Sequence, residues 1–456
     1  MGVRKEAACS PSLSTKLLHL LRSDAIVPSE EELLRVGSDA AACYVTRPWT
    51  SSYNISPWNP EAASPLVGSR WTKQLRPDPQ VTGLVGSLVR REGQVYSLAA
   101  AGDLLYTGSE SRNIRVWKGR KEFSCFRSSS GFVKAIVVSG DRIFTSHQDG
   151  KIRVWRRSSK DPSVHKRVMT LPTLGDFLRS SMNPSRYVEQ RRHHSSLWLR
   201  HLDTVSCLSL DEDAGLLYSG SWDKTVKVWR ISDCKCLESF NAHDDAVNAV
   251  ATGFDGLVFT GSADGTVKAW QREVAAGVKD GIGGATRHVS AQTLLQQEGA
   301  VTALAVVAAV GIVYCGSSDG VVLYWQREAG GGPLAWGGAL RGHGMAVLCL
   351  AAAGTILASG SADRTIRVWR RDEGGGGHVV VAVLVGHAAP IKCVAVEAEE
   401  DRGNGRGYVV YSGSLDKSVK IWRVGERERL PVAERSTPRH PRSSSHVCGG
   451  AGDMTC

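Results

Sequence analysis

Histidine, serine or threonine, and aspartate recur along the chain at nearly constant spacing, and these are the residue types of a hydrolase triad. His201, Ser219 and Asp223 illustrate the pattern, with Trp229 six residues after the aspartate. An active site occurs once in a chain, whereas this set repeats along it. We therefore interpret the recurring residues as structural, and we expect no catalytic residue and no enzymatic activity.

Four of these sets are complete, each with one residue of all four types. They are His201, Ser219, Asp223 and Trp229; His243, Thr260, Asp264 and Trp270; His343, Ser359, Asp363 and Trp369; and His387, Ser412, Asp416 and Trp422. Three further repeats have Arg91, Ser129 and Gln297 in place of the histidine. A buried tight turn needs acceptors for its backbone donors, so each complete set is predicted to form a buried, hydrogen-bonded tetrad.

Seven segments with similar endings predict that the tetrads belong to repeated units of β-sheet. The endings are NIRVW, KIRVW, TVKVW, TVKAW, VVLYW, TIRVW and SVKIW. Each unit reads as an apolar strand, a strand with a Gly-Ser-like pair, a tight turn and a β-branched strand, which are three strands of a four-stranded blade. The apolar stretch from Gly83 to Val89 can supply the missing strand of the last blade and close the ring. The predicted fold is all-β, a seven-bladed β-propeller over residues 82–424.

The repeats resemble the WD-repeat family, in which tetrads of His, Ser or Thr, Asp and Trp clamp each blade. The resemblance covers about residues 82–424 and implies a protein-interaction scaffold that needs no cofactor. The sequence departs from the family in one respect, because Lys, Arg or Gln follows each of the seven terminal tryptophans where the family has Asp.

Several segments are similar to the plant JINGUBANG-like WD-repeat proteins. They are SSYNISPWNP, GDLLYTGSESRNIRVWK, SGDRIFTSHQDGKIRVWR and HKRVMTLPTLGDFLRSSMNPSRYVEQRRHHSSLWLRHLDTVSCLSL. This resemblance implies a regulatory scaffold of the plant cytoplasm and nucleus, linked to pollen or developmental control through transcription regulators. The alternative function is substrate receptor of a ubiquitin ligase. Receptors of the cullin-linked kind usually carry Trp-Asp-x-Arg at the end of a blade, which this chain lacks.

Positive charge is concentrated in one part of the repeat region. The net charge is +11, and residues 156–202 hold ten Lys or Arg against three Asp or Glu, a net of +7. We interpret 157–192 as an insertion between the third and fourth strands of a blade, a surface loop that the fold does not need. It could be a solvated loop, a site for an acidic partner or a nucleic-acid contact. The lack of aromatic platforms argues against direct nucleic-acid binding.

The cysteines indicate buried thiols rather than a disulfide framework. Three of the eleven, Cys207, Cys349 and Cys393, recur at one repeat position, as expected of small core residues in a reducing compartment. Cys234 and Cys236 form a lone CxC without the two further ligands of a zinc site, so no metal is expected. No apolar run approaches the ~18 residues of a membrane helix, and the first residues do not lead us to expect a secretory signal. We expect a soluble, monomeric propeller in the cytoplasm and nucleus.

Both ends of the chain are predicted to be largely disordered tails, at 1–80 and 425–456, because they lack apolar periodicity. A short helix is predicted at 14–22, either resting on the propeller or acting as an LxxLL docking motif. Four tail residues that precede proline are candidate phosphorylation sites: Ser10, Ser56, Ser64 and Thr437.

The rim of short turns is the predicted docking surface, because the long connections are all predicted on the opposite rim. Those connections are 157–192, 272–289, 327–338, 371–378 and 397–407. The candidate partner-binding residues follow the Gly-Ser pairs or begin the first strands: Trp222, Leu415, Asp203, Asp244, Asp245 and Met345. Trp222 is the leading candidate, since the repeat does not require an indole there. An exposed indole would be an interface hot spot, and an indole packed on the neighbouring blade would serve stability alone.

Overall fold

A computed structural model describes residues 83–425 except 90–92, 174, 177, 179–186, 192–193, 198, 275–285, 329–330, 373–376 and 401–405. Several predictions concern residues outside this range, namely the two tails, the helix at 14–22 and the candidate phosphorylation sites Ser10, Ser56, Ser64 and Thr437. Arg91, which replaces a tetrad histidine, also lies outside it.

The described chain forms seven four-stranded antiparallel sheets, the blades, which follow one another in sequence. Strand β1 (Gly83–Val89) precedes the first blade. Blade 1 contains β2 (Val95–Ala101), β3 (Leu104–Ser109), β4 (Asn113–Lys118) and β5 (Lys121–Arg127). Blade 2 contains β6 (Val133–Ser139), β7 (Arg142–His147), β8 (Ile152–Arg157) and β9 (His165–Leu171). A two-stranded hairpin follows, formed by β10 (Tyr187–Arg191) and β11 (His194–Leu197).

The remaining blades repeat the same order. Blade 3 contains β12 (Val205–Asp211), β13 (Leu216–Ser221), β14 (Thr225–Arg230) and β15 (Cys236–Asn241). Blade 4 contains β16 (Val247–Thr252), β17 (Leu257–Ser262), β18 (Thr266–Val274) and β19 (Thr286–Gln296). Blade 5 contains β20 (Val301–Val307), β21 (Ile312–Ser317), β22 (Val322–Arg327) and β23 (Leu334–Leu340), with a 3-10 turn at Ala308–Val310. Blade 6 contains β24 (Val347–Ala353), β25 (Ile356–Ser361), β26 (Thr365–Arg371) and β27 (His378–Val385).

Blade 7 closes the ring with strands from both ends of the described chain. It contains β28 (Ile391–Glu400), β29 (Arg406–Ser414) and β30 (Ser418–Gly425), and its fourth strand is β1. β1 pairs antiparallel with β30, and the Leu88 side chain is buried. This pairing gives blade 7 its fourth strand and closes the ring of blades. The predictions of a seven-bladed all-β propeller and of closure by Gly83–Val89 are confirmed.

The core lies between neighbouring blades. One cluster joins Tyr218 and Val228 of blade 3 to Val247 and Trp270 of blade 4, all of them buried. Because both faces of each sheet are covered, the third strands are rich in β-branched residues and each contains a buried tryptophan. The approach is close at Gly220, where an added Cβ would lie 2.8 Å from a Val247 methyl carbon.

The predicted boundaries of the basic insertion are wrong. The range 157–192 contains β9, which pairs with β8 as the outer strand of blade 2 and buries Leu171. The sequence HKRVMTL does not show the pattern of a strand, because three consecutive side chains are exposed and only Leu171 is buried. The connection that follows, residues 172–204, joins the fourth strand of blade 2 to blade 3, so it leaves from the rim of short turns. The other four long connections join the strands that the sequence predicted.

Candidate functional site

The tetrad of blade 3 is held by side chains from a loop and two strands. Trp229 on β14 places its Nε1 2.9 Å from Ser219 Oγ on β13, and Ser219 Oγ lies 2.8 Å from His201 Nε2. His201 Nδ1 in turn lies 3.1 Å from Asp223 Oδ2. All four residues that the sequence grouped here are therefore brought together.

The direction of these hydrogen bonds follows from the donors available. The indole N–H can only donate, so Ser219 Oγ accepts from Trp229 and donates its own proton to His201 Nε2. The remaining ring proton is on Nδ1, which donates to Asp223. Burial lowers the pKa of His201 and outweighs the opposing effect of Asp223, so the imidazole is neutral at physiological pH.

Asp223 also satisfies the backbone of the tight turn. Its Oδ2 accepts from Leu202 N at 2.8 Å, and its Oδ1 accepts from Thr225 N at 2.9 Å and from Thr225 Oγ1 at 2.6 Å. Burial opposes ionisation of this carboxyl, but the hydrogen bonds from His201, Thr225 and Leu202 outweigh burial and lower its pKa. The carboxylate therefore acts as a fixed acceptor that ties the loop before the blade to the turn inside it.

The same contacts recur in three more blades. The His Nδ1 to Asp Oδ2 distance is 3.1 Å for His243 and Asp264, 2.8 Å for His343 and Asp363, and 2.7 Å for His387 and Asp416. The His Nε2 to hydroxyl distances, in blade order, are 2.7 Å to Thr260, 2.8 Å to Ser359 and 2.8 Å to Ser412. Each hydroxyl oxygen also accepts from an indole at 2.9 Å, namely that of Trp270, Trp369 or Trp422.

Blade 5 lacks the tetrad histidine and satisfies its turn with an amide. The Gln297 amide donates to Ser317 Oγ at 2.8 Å and to the Gly299 carbonyl at 3.1 Å. Ser317 is the second residue of the Gly-Ser pair, two positions after Cys315, which occupies the place of the tetrad hydroxyl. The Gln297 amide therefore binds the tight turn and does not reach the tetrad position.

In blade 2, a histidine on the second strand takes the place of the missing loop histidine. His147 on β7 places its Nε2 2.9 Å from Thr145 Oγ1, which accepts from Trp155 Nε1 at 3.0 Å. The ring of His147 is fully buried, and this burial lowers its pKa to about 3. Sequence reasoning missed His147 because it lies after the threonine in the chain, whereas the other histidines lie before their hydroxyl partners.

The predicted docking residues lie on the rim of short turns. In blade 3, Trp222 N donates to the Thr204 carbonyl at 3.1 Å, which joins the tight turn to the start of the first strand. Equivalent bonds join Ala263 N to the Ala246 carbonyl and Leu415 N to the Pro390 carbonyl. The tight turns and the starts of the first strands thus form one continuous rim.

Small side chains from several blades pack together on the rim of short turns. Four buried alanines make up the cluster, Ala246, Ala263, Ala300 and Ala346. Trp222, Leu348 and Ala362 pack against them. Because these residues come from blades 3 to 6, they meet near the axis of the ring, and we call this group the axial cluster.

Trp222 is partly buried, which lies between the exposed indole and the packed indole that the sequence left open. One part of the indole packs on the axial cluster, and its ring also faces Lys134 of blade 2, whose Nζ lies 5.7 Å from the ring centroid. The Lys134 ammonium lies over two more rings, 4.3 Å from the centroid of Tyr96 and 5.3 Å from that of Phe132. Cation–π contacts of this kind hold a cation in place. This cation–π group could not be predicted from repeat spacing, because its members come from three blades.

The other predicted docking residues differ in exposure. Met345 is exposed beside the axial cluster, with 52% of its surface open to solvent. Asp203 and Asp244 are also exposed, whereas Asp245 and Leu415 are partly buried. The Asp245 carboxylate accepts from Ala246 N at 2.8 Å, so it serves the local backbone.

The recurring cysteines lie in the core. Cys207, Cys349 and Cys393 are buried, and burial raises the pKa of Cys207 and of Cys349 to about 12. Each thiol faces the glycine of a Gly-Ser pair on the adjacent strand; an added Cβ at Gly360, for example, would lie 2.6 Å from Cys349 Sγ. Within the described residues, no group of three His, Cys, Asp or Glu side chains is arranged to hold a metal ion. No helix in the described part of the chain is long and apolar enough to cross a membrane.

The fold and the repeated tetrads define a β-propeller built from equivalent blades. The WD40 family, described as "WD domain, G-beta repeat", matches residues 83–118, 195–230, 234–271, 337–370 and 378–423. The chain is a WD-repeat protein of the transducin superfamily.

Named relatives share short parts of this chain. The small ribosomal subunit protein RACK1y of Oryza sativa subsp. japonica is 41% identical over 58 residues, which are 12% of this chain and 17% of that protein. The WD repeat-containing protein pop1 of Schizosaccharomyces pombe is 26% identical over 202 residues, 38% of this chain and 25% of that protein. The chain thus spans at most a quarter of these two relatives. The crystal structure of the computationally designed Ika8 protein matches 75% of this chain and 100% of its own, with a TM-score of 0.50 and 21% identity, and so is alike in fold alone.

Proposed function

We propose that this protein is a non-catalytic scaffold that binds other proteins at its rim of short turns. WD-repeat propellers typically act in this way. The observation that carries the proposal is the axial cluster with its flanking side chains: Trp222 packs on it below Lys134, and the exposed Met345 precedes its member Ala346. Partly exposed aromatic and methionine side chains around a tightly packed centre are typical of interface hot spots.

The finer role that we propose follows the JINGUBANG-like resemblance. It is regulatory scaffolding in the plant cytoplasm and nucleus, through transcription regulators, in pollen or developmental control. An acidic partner could also bind Lys166 and Arg167, which are exposed on β9 within the basic region. A ubiquitin-ligase receptor role is the weaker proposal, because Lys, Arg or Gln follows every blade-ending tryptophan.

Comparative affinity purification from native tissue tests the docking surface. Met345→Glu places a charge on the rim of short turns, and Val164→Glu places the same charge on the opposite rim, where Val164 is 38% exposed. We expect Met345→Glu to reduce recovery of the main partners about tenfold, the effect of about 1.4 kcal/mol, and Val164→Glu to leave it unchanged. Equal recovery with both variants, or loss with Val164→Glu alone, would place the docking surface elsewhere.

A further inference from the structure

Blade 2 has an exposed serine in the position that a tetrad histidine takes in other blades. Ser129 lies in the loop between β5 and β6, and its Oγ accepts from Arg153 Nε at 2.9 Å and from Arg167 Nη1 at 3.3 Å. Arg153 belongs to β8 and Arg167 to β9, so two strands of the blade direct guanidinium groups at one hydroxyl. Two guanidinium groups are the arrangement that binds a phosphate through charge-assisted hydrogen bonds.

The loop exposes one of its three consecutive serines. Ser128 is buried, and its Oγ accepts from Ser130 N at 3.5 Å. The hydroxyl of Ser130 is also buried. Ser129 is exposed, as is Arg127 two residues before it. An enzyme that modifies serine beside a basic residue can therefore reach Ser129 and not its neighbours.

We propose that Ser129 is a phosphorylation site whose phosphate is held by Arg153 and Arg167. In the reaction, Ser129 Oγ attacks the γ-phosphorus of ATP bound to a protein kinase. The new O–P bond replaces the bond to ADP, ADP leaves, and the hydroxyl proton passes to a base of the kinase. The product has a charge of about −1.5 to −2 at neutral pH and three acceptor oxygens for the two guanidinium groups.

Arg153 is already oriented to receive the phosphate. Its side chain is 3% exposed, and its Nη1 and Nη2 donate to the two carboxylate oxygens of Asp149 at 3.2 and 2.6 Å. Asp149 thereby fixes the guanidinium plane and leaves Nε directed at Ser129. The carboxylate repels a phosphate, but the two guanidinium groups outnumber it, so the local charge is +1 before modification.

Phosphorylation at this position would tie the loop to blade 2 and change the charge beside the docking rim. Ser128 N donates to the Arg112 carbonyl at 2.7 Å and Phe132 N to the Glu110 carbonyl at 3.2 Å, so the loop is also bound to blade 1. Phe132, whose ring faces Lys134, lies three residues after Ser129. The phosphate site does not depend on the proposed docking function, because its effect on the stability of the propeller is measured without a partner.

The first test encodes phosphoserine at position 129 of the full chain, with phosphoserine at the exposed Ser290 of blade 4 as the control. At low ionic strength we expect the phosphate at 129 to raise the melting midpoint by about 2 °C or more, and the phosphate at 290 to give no rise. Arg167→Gln should remove at least half of the rise, whereas Lys166→Gln, which removes the same charge one residue away, should preserve it. No rise, or a rise that survives Arg167→Gln intact, would overturn the guanidinium clamp.

The second test asks whether Ser129 is the residue that a kinase modifies. The unmodified full chain is incubated with ATP and a serine kinase that selects arginine two residues before its target, and the peptide containing Ser128 to Ser130 is sequenced by mass spectrometry. We expect phosphate on Ser129 and its loss from this peptide in Ser129→Ala. Phosphate on Ser128 or Ser130, or an unmodified peptide, would show that the loop is not a kinase site.

Discussion

Removal of the Asp223 carboxylate tests the tetrad at its most connected residue. Asp223 accepts four hydrogen bonds, from His201 Nδ1, Leu202 N, Thr225 N and Thr225 Oγ1. In Asp223→Ala, His201 Nδ1 can still reach Thr225 Oγ1 at 3.1 Å, and Leu202 is near enough to solvent to recruit water. About two donors are then left without an acceptor, which costs roughly 2–4 kcal/mol at ~1–2 kcal/mol each.

This free energy is measurable as a shift of the thermal midpoint. An unfolding entropy of about 2.1 cal/mol/K per residue over the roughly 340 residues of the propeller converts 2–4 kcal/mol into about 3–6 °C. Differential scanning calorimetry of the full chain gives the shift directly. Asp213→Ala is the matched control, because Asp213 is an exposed aspartate in the same blade. A melting midpoint of Asp223→Ala within about 1 °C of that of Asp213→Ala would show that the tetrad does not stabilise the blade.

Three further predictions concern other parts of the propeller. Burial gives His147 a folded pKa of about 3, so this histidine takes up a proton in the unfolded chain before it does so in the folded one as the pH falls. His147 alone should therefore lower the free energy of unfolding by about 2 kcal/mol between pH 8 and pH 5. Urea unfolding should show a smaller pH dependence in His147→Gln, and an unchanged slope would contradict the assignment. Peptide-level alkylation should label the exposed Cys125 in the native protein and Cys207 only after unfolding; native labelling of Cys207 would show an open core. Deletion of residues 1–82 should leave a folded ring, whereas deletion of 1–89 also removes β1 and should lower the thermal midpoint or cause aggregation. Equal thermal midpoints of the two truncated chains would refute closure of the ring by β1.

The features that could be predicted from sequence are those that repeat at a fixed spacing. The tetrads of blades 3, 4, 6 and 7 and the closing strand Gly83–Val89 follow from local pattern, because each blade solves the same burial problem with the same residues. The outer strand β9 could not be predicted, since only one of its seven side chains is buried and its sequence shows no apolar alternation.

Contacts between side chains of different blades could not be predicted from the sequence either. The partial burial of Trp222 and its contact with Lys134 depend on side chains about 90 positions apart in the chain, brought together only when the ring closes. His147 is a related case, because a buried ring nitrogen can reach Thr145 from either side along the chain. Repeat spacing predicts which residues serve the blade, and it does not predict what the rim presents to a partner.

The most direct test of the docking rim is site-specific photo-crosslinking in native tissue. A photoreactive phenylalanine derivative replaces Met345 on the rim of short turns in one version of the full chain and Val164 on the opposite rim in another. Both positions are exposed, at 52% and 38%. We expect discrete protein adducts from position 345 and few or none from position 164. Adducts from position 164 with none from position 345 would contradict the proposal that partners bind the rim of short turns.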